Sequence, residues 1–247
     1  MRFLTARWEN LCLFTYAVPP ELLRPRLPSG LELDGRDGKC FVSLVAFWFA
    51  NTKVWGIPWP TFRHFAELNL RFYVRHGSER GVVFIREFVP QRFVAWMART
   101  LYNEPYYAAP LTHVVTEQAD SVTAVCQLTW QGRQHTLRMT GKKPGVRVAA
   151  DSVEHFFKEH KWGYNRNRKG RAVRYEVQHP EWKIYPVEHY ELDFDFAAVY
   201  GPEWSFLKDQ PPYSTVFAAG SEIAVFSKTD LPTAPVLQGE AQGLVRS

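Results

Sequence analysis

A chain of 247 residues with 46% hydrophobic and 15% aromatic content has enough apolar surface to build a core without disulfide or metal staples. Its three cysteines, Cys12, Cys40 and Cys126, form no C-x-x-C pair, which argues against a disulfide framework and a cysteine zinc site. The net charge of +5 raises nucleic acid as a partner, so the location of that charge matters.

The elements read in chain order as strand after strand. Residues 1–9 pass from basic to acidic with no apolar leader segment, so a cytoplasmic chain is expected. Leu11 to Val18 reads as a strand, and Pro19-Pro20-Glu21-Leu22-Leu23 starts a short helix, with proline tolerated in the first turn. Phe41 to Phe49 is apolar on both faces and predicts a central strand. It is far shorter than the roughly 20 residues of a membrane-spanning helix. Residues 66–74 then alternate strictly. Glu67, Asn69, Arg71 and Tyr73 share one strand face, and Leu68, Leu70, Phe72 and Val74 share the other. The apolar face is core. The polar face carries an acid, an amide, a guanidinium and a phenol, a set that can orient a small polar ligand or simply face water.

Gly81 to Phe88 predicts the next strand. Gln91 to Leu101 is the best helix candidate, with Val94, Met97, Ala98 and Leu101 at helical spacing. His113 alternates with Val115 and Glu117 on a further strand, where a lone histidine reads as a hydrogen-bonded structural residue. Val122 to Trp130 and Arg133 to Thr140 flank Gln131-Gly132, a tight hairpin. Asp151 with Glu154 resembles a capping box for a helix to about His160. Arg171 to His179, Lys183 to Val187 and Ser214 to Phe226 complete the strands. Residues 1–228 are expected to form one domain and residues 229–247 a loosely held tail. Many antiparallel strands in one domain favour a mainly β barrel or two packed sheets with a few short helices.

Between Lys158 and Arg174 stand seven cations, Lys158, Lys161, Arg166, Arg168, Lys169, Arg171 and Arg174, against Glu159 alone; the rest of the chain is close to neutral. Trp162, Tyr164 and Tyr175 interleave them, the mix of an RNA-stacking surface. Asn165-Arg166-Asn167-Arg168-Lys169-Gly170 also has the residues of a solvated hairpin tip.

Trp8-Glu9-Asn10-Leu11, Pro28-Ser29-Gly30-Leu31, Glu67-Leu68-Asn69-Leu70-Arg71-Phe72-Tyr73-Val74, Gly81-Val82-Val83-Phe84 and Pro105-Tyr106 occur in that order. Together they resemble the YqjF-like family of uncharacterised bacterial proteins, which is similar in fold to acetoacetate decarboxylase. The resemblance implies a closed, cone-like antiparallel β-barrel whose interior holds the site, with the polar face of residues 67–73 turned into it. It also implies a chemical test. A decarboxylase of that kind forms a Schiff base through a lysine activated by a neighbouring cation, carried soon after the strand matching Gly81 to Glu87. Between Lys53 and Lys142 there is no lysine, and Arg92 and Arg99 in that region cannot act as amine nucleophiles. The arginine expected on the first strand falls at Ala17, and Glu79 stands near one of the decarboxylase acids. The pair Lys142-Lys143 sits in Gly-Lys-Lys-Pro-Gly, an exposed turn.

No H-E-x-x-H, G-x-S-x-G, G-x-x-x-x-G-K-[ST] or strand-borne G-x-G-x-x-G motif occurs, so no metal or cofactor is expected. Tyr102, Tyr106 and Tyr107 are candidate walls of a pocket, and His179-Pro180-Glu181-Trp182 reads as a structural corner. Three functions stand. The first is binding of a small, anionic organic molecule, with Arg71 as anchor, Glu67 and Asn69 as orienting partners, and Tyr73, Arg99 and Tyr106 as walls. The second is a non-covalent enzyme on an organic acid, with Glu67 as general acid or base; here pairing with Arg71 is expected to lower the Glu67 pKa. The third is nucleic-acid binding through residues 158–174. An oligomer of identical chains is compatible with all three.

Overall fold

The computed structural model describes residues 1–231 except Arg168, leaving aside the side chains of Thr61 and Tyr102. The chain opens with the long strand β1 (Arg2–Val18), one turn of helix, α1 (Pro20–Leu23), and the short β2 (Glu32–Leu33). An antiparallel meander follows: β3 (Cys40–Val54), β4 (Phe65–His76) and β5 (Glu79–Val89). Helix α2 (Arg92–Tyr102) and β6 (Tyr106–Ala108) lead to a second meander of β7 (Leu111–Glu117), β8 (Ser121–Trp130) and β9 (Arg133–Lys142). The rest comprises α3 (Val153–Lys158), β10 (Trp162–Arg166), β11 (Ala172–Gln178), β12 (Ile184–Tyr185), β13 (Val187–Asp193), α4 (Phe196–Tyr200), β14 (Ser214–Phe226) and β15 (Thr229–Asp230).

Strands β14, β1, β3, β4, β5, β10 and β11 pair in that order, and β11 returns to β14 through Val177 and Gln178, so they close a ring. Every joint is antiparallel except β5 to β10, which runs parallel through Gly81 and Gly163. Glycine is required there, because a Cβ on Gly81 would overlap the Trp162 carbonyl and one on Gly163 would overlap the Tyr175 ring. Strands β13, β9, β8 and β7 form a second, antiparallel sheet.

The two faces of the central strands serve two cores. Phe14, Val42, Leu44, Leu68, Leu70 and Phe72 pack outward against Leu111, Val122, Cys126, Leu128 and Leu137 of the second sheet. Leu11, Leu13, Val45, Phe47 and Phe65 point inward. This explains why β3 reads as apolar throughout. Each such buried side chain contributes about 1.5–3 kcal/mol.

Local chemistry moved several expected boundaries. Strand β1 begins at Arg2, its two halves joined by a bulge where Asn10 takes a positive φ of 55°. The α3 cap is Ser152, whose Oγ accepts from His155 N at 3.1 Å, rather than Asp151, and the helix ends at Lys158. The expected strand Lys183 to Val187 splits at Pro186, which lacks an N–H to continue a ladder: Ile184–Tyr185 pair with β14, whereas Val187 onward pairs with β9. The Gln131-Gly132 turn has positive φ at both residues, as a two-residue hairpin needs. Beyond Ser227, Thr229 and Asp230 pair with β11, and Leu231 N donates to the Ala172 carbonyl at 2.9 Å; residues 232–247 lie outside the described residues. No described helix is long and apolar enough to cross a membrane.

Candidate functional site

The ring encloses a cavity of about 150 Å³, a volume that in other proteins holds a benzene-sized molecule. Apolar side chains form most of its wall: Phe3, Trp8, Phe47, Phe49, Phe65, Val94, Met97 and Trp182 among them. Against that wall stand Glu67, Asn69 and Arg71 of β4. The strict alternation of β4 places them there, because Leu68, Leu70 and Phe72 are committed to the outer core.

Two further carboxyls, Glu87 and Glu104, line the cavity. In β5, Val82 and Phe84 face inward while Val83 and Ile85 pack outward, so simple alternation would put Glu87 outside. A β-bulge prevents this: Leu70 pairs with Arg86 but Arg71 with Phe84, which leaves Ile85 as an extra residue. Past the bulge the parity flips. Glu87 then stands opposite Asn69 on one side and Tyr106 on the other. Glu104 arrives from a loop. Asn103 ends α2 in the left-handed conformation (φ 56°) and is tied by its Nδ2 to the Arg166 carbonyl at 2.7 Å.

Tyr106 links the group. Its hydroxyl donates to Glu67 Oε2 at 2.7 Å, and Asn69 Nδ2 donates to Glu67 Oε1 at 3.0 Å. Tyr175 hydrogen-bonds Glu104. Burial dominates the titration of all three acids. It pushes Glu67 up to about 7 against the opposing effects of Tyr106, Asn69 and Arg71. It takes Glu104 to about 8 and Glu87 well above the usual carboxylate range. The lowered Glu67 pKa expected from Arg71 is therefore overturned, because desolvation outweighs the guanidinium. At neutral pH Glu87 and Glu104 are mainly protonated and can donate hydrogen bonds.

Arg71 donates through Nη2 to the Phe157 carbonyl at 3.1 Å, whereas its buried Nε has no partner. Asn69 Oδ1, Glu87 Oε2 and Glu104 Oε1 are also buried without partners. His160, from the segment after α3, lines the same cavity. Burial, Arg71 and Arg80 hold it well below its ordinary pKa, and a backbone contact with Phe156 opposes them only weakly.

Not every expected residue takes part. Tyr73 is inside the ring but beneath the cavity: its hydroxyl bonds Ser43, which bonds Thr15 at 2.7 Å, and its ring packs on His160 at 4.9 Å. Its polar atom is thus already used by a buried chain of hydroxyls. Arg99 is exposed, on the face of α2 opposite Val94, Met97 and Ala98, and does not line the cavity. Tyr107 is half-exposed and packs on Trp130 and under Arg86; the Tyr102 side chain lies outside what is described. Glu79 pairs with Arg174 rather than entering the cavity. His113 is a buried core residue, held by desolvation at about 4 and hence neutral.

The basic segment is largely occupied. Lys158 is fully buried, lines the cavity, and has its Nζ 2.5 Å from Glu159 Oε1. Lys161 pairs with Glu176 at 3.2 Å, Arg174 with Glu79, and Arg166 Nη2 donates to the Leu27 carbonyl at 2.5 Å. Asn167 Oδ1 accepts from the amides of Lys169 and Arg171, building the hairpin tip; Arg168 lies outside the described residues. Trp182, at the expected corner, donates from its Nε1 to Ser221 at 2.8 Å and stacks on His179 at 4.0 Å. Lys143 is held by Glu117 at 2.8 Å, and Lys142 is exposed. Incubation with acetoacetate and borohydride is expected to leave Lys142, Lys143 and Lys158 unmodified. A stable adduct on any of them, found by mass spectrometry, would restore Schiff-base chemistry. Among the described residues no cluster of histidine, cysteine and carboxylate side chains is arranged to hold a metal ion.

A ring of strands enclosing a cavity is the acetoacetate decarboxylase-like fold. Acetoacetate decarboxylase from Legionella pneumophila superposes with a TM-score of 0.64 at 14% identity, over 92% of this chain and 87% of that one. An acetoacetate decarboxylase-like enzyme from Sphingomonas wittichii RW1 gives 0.61 at 15% identity, over 95% of both chains. The enduracididine biosynthesis enzyme MppR complexed with pyruvate gives 0.60 at 13% identity, over 93% of this chain and 91% of that one. Such identities establish the fold alone. The chain itself belongs to the DUF2071 family, an uncharacterized conserved protein, which it matches over residues 5–222. The uncharacterized protein YqjF of Bacillus subtilis (strain 168) is 32% identical over 105 residues, 42% of this chain and 43% of that protein; the match thus spans less than half of this curated relative.

Proposed function

We propose that the protein binds a small carboxylic acid with a partly apolar body inside the ring. One observation carries the reading. The cavity joins an apolar wall to a buried guanidinium nitrogen, an amide oxygen and two carboxyl oxygens that have no protein partners, and unsatisfied buried polar atoms cost about 1–3 kcal/mol each until something bonds them. An entering carboxylate would accept from Arg71 and from protonated Glu87 and Glu104, while its carbon chain would lie against Phe47, Phe65 and Trp182. That MppR, a protein of the same fold, is described as complexed with pyruvate supports a ligand of this size and chemistry. Affinity for anions falls as pH rises past about 7 and 8, where Glu67 and Glu104 ionise.

A panel of keto and hydroxy acids in a thermal-shift assay tests this. A ligand present at about 100 times its Kd adds about 2.7 kcal/mol, which for a chain of this length raises Tm by roughly 5–10 °C. Arg71→Met is expected to stay folded, with a cost under about 2 kcal/mol for its bond to the Phe157 carbonyl, and to abolish the shift. A shift undiminished in Arg71→Met contradicts the anchor.

The Glu67 pKa of about 7 favours a second reading, a non-covalent enzyme in which Glu67 moves a proton on the bound acid. Deuterium exchange at the ligand's α-carbon, lost in Glu67→Gln while the thermal shift persists, is its signature.

A further inference from the structure

Helix α2 walls the cavity on one side and meets solvent on the other. Val94, Met97 and Ala98 line the interior, whereas Arg92, Phe93, Trp96, Arg99 and Thr100 are exposed. Phe93 and Trp96 are 45% and 55% exposed, large values for side chains this apolar. They do not stand singly. Trp96 packs on Phe93 at 5.6 Å, Phe93 stacks on Phe62 at 5.0 Å, and Phe62 stacks on Trp59 at 6.0 Å. Trp59 is itself 42% exposed, and Trp55 and Ile57 on the same loop are 52% and 55% exposed. A contiguous apolar surface of this kind marks an interaction site.

Its charge says which kind. No aspartate or glutamate occurs between Asp37 and Glu67, nor between Glu87 and Glu104. The charged residues that flank the aromatic side chains in sequence are Lys53, Arg63, Arg92 and Arg99, all exposed, and among the described residues none of the four is ion-paired. A two-fold contact with a second copy would set these cations against themselves. A surface rich in anionic headgroups matches them. Tryptophan and phenylalanine beside arginine are the residues that settle at the headgroup level of a bilayer.

We propose that the loop of residues 55–63 and the outer face of α2 dock on an anionic lipid bilayer. Docking does not depend on the ligand proposed for the interior.

The test is co-sedimentation of the full chain with vesicles of phosphatidylglycerol and phosphatidylcholine against vesicles of phosphatidylcholine alone, at low and high salt. Binding is expected only to the anionic vesicles and is lost at high salt. Arg92→Gln with Arg99→Gln is expected to weaken it about 30-fold, at about 1 kcal/mol per cation. Phe93→Ser with Trp96→Ser, both at exposed positions, is expected to weaken it further with an unchanged circular dichroism spectrum. Absence of binding, equal binding to neutral vesicles, or indifference to both pairs of substitutions overturns the proposal. So does a lipid-free dimer that Phe93→Ser with Trp96→Ser dissociates, which would assign the patch to a second copy. If vesicle binding fails while keto acids still raise Tm, the interior site stands and only the membrane surface falls.

Discussion

Raising the pH from about 6.5 to about 8 is expected to destabilise this protein by at least about 2 kcal/mol, lowering Tm by roughly 5 °C or more. The cause is the trio of buried carboxyls. In the unfolded chain a glutamate gives up its proton near pH 4.3. In the folded protein Glu67 keeps its proton to about 7 and Glu104 to about 8, and burial raises Glu87 well above the usual carboxylate range as well. Between those limits the folded state binds more protons than the unfolded one, so stability is full below about pH 4 and is lost as pH rises through 7 and 8. Two buried histidines work in the other sense. His113, at about 4, and His160, also lowered, stay neutral in the fold while they charge in the unfolded chain. Their contribution rises with pH only up to about 6.5, which partly cancels the acids at lower pH and leaves the steep fall above it. Glu104→Gln is expected to remove most of the change that Glu67 and Glu104 together produce. Tm measured across the range decides: a flat profile would mean that the carboxyls are hydrated and ionised.

The second large effect separates the two faces of β4. Phe72→Ala is expected to cost about 3–5 kcal/mol, because Phe72 is fully buried in the core between the ring and the second sheet. Its neighbour Arg71 points the other way, so its substitution acts mainly on ligand binding. Urea denaturation of both variants gives the comparison. Equal losses would mean that the two residues share one core.

The alternation of residues 66–74 made both faces of β4 legible, and the apolar run around Phe41 to Phe49 marked a central strand covered on both sides. Glu67, Asn69 and Arg71 follow from that alternation, whereas Tyr106 is pointed to only by the cluster of tyrosines after the helix. Glu87 was not, because the one-residue bulge at Ile85 reverses the face on which it stands, and nothing in Phe84-Ile85-Arg86-Glu87 announces it. Glu104 follows a helix end and enters the cavity from a loop, where no periodicity exists. Arg99 fell on the wrong side of α2: the spacing of Val94, Met97 and Ala98 already assigned the inner face, and Arg99 lies outside it. Tyr73 shares the polar face, yet Ser43, 30 residues away, takes its hydroxyl. Lys158 counts as one more cation in a basic run until folding buries it beside Glu159. The Glu67 pKa required knowing the depth of its burial as well as its neighbours.

The hydrophilic face of β4 is proposed to hold a ligand inside the ring. A crystal grown with the keto acid that raises Tm most tests it directly. The expected result is ligand density in the cavity with a carboxylate oxygen about 2.7–2.9 Å from an Arg71 nitrogen. A cavity left empty or closed by its own aromatic side chains, with the acid bound elsewhere, would contradict it.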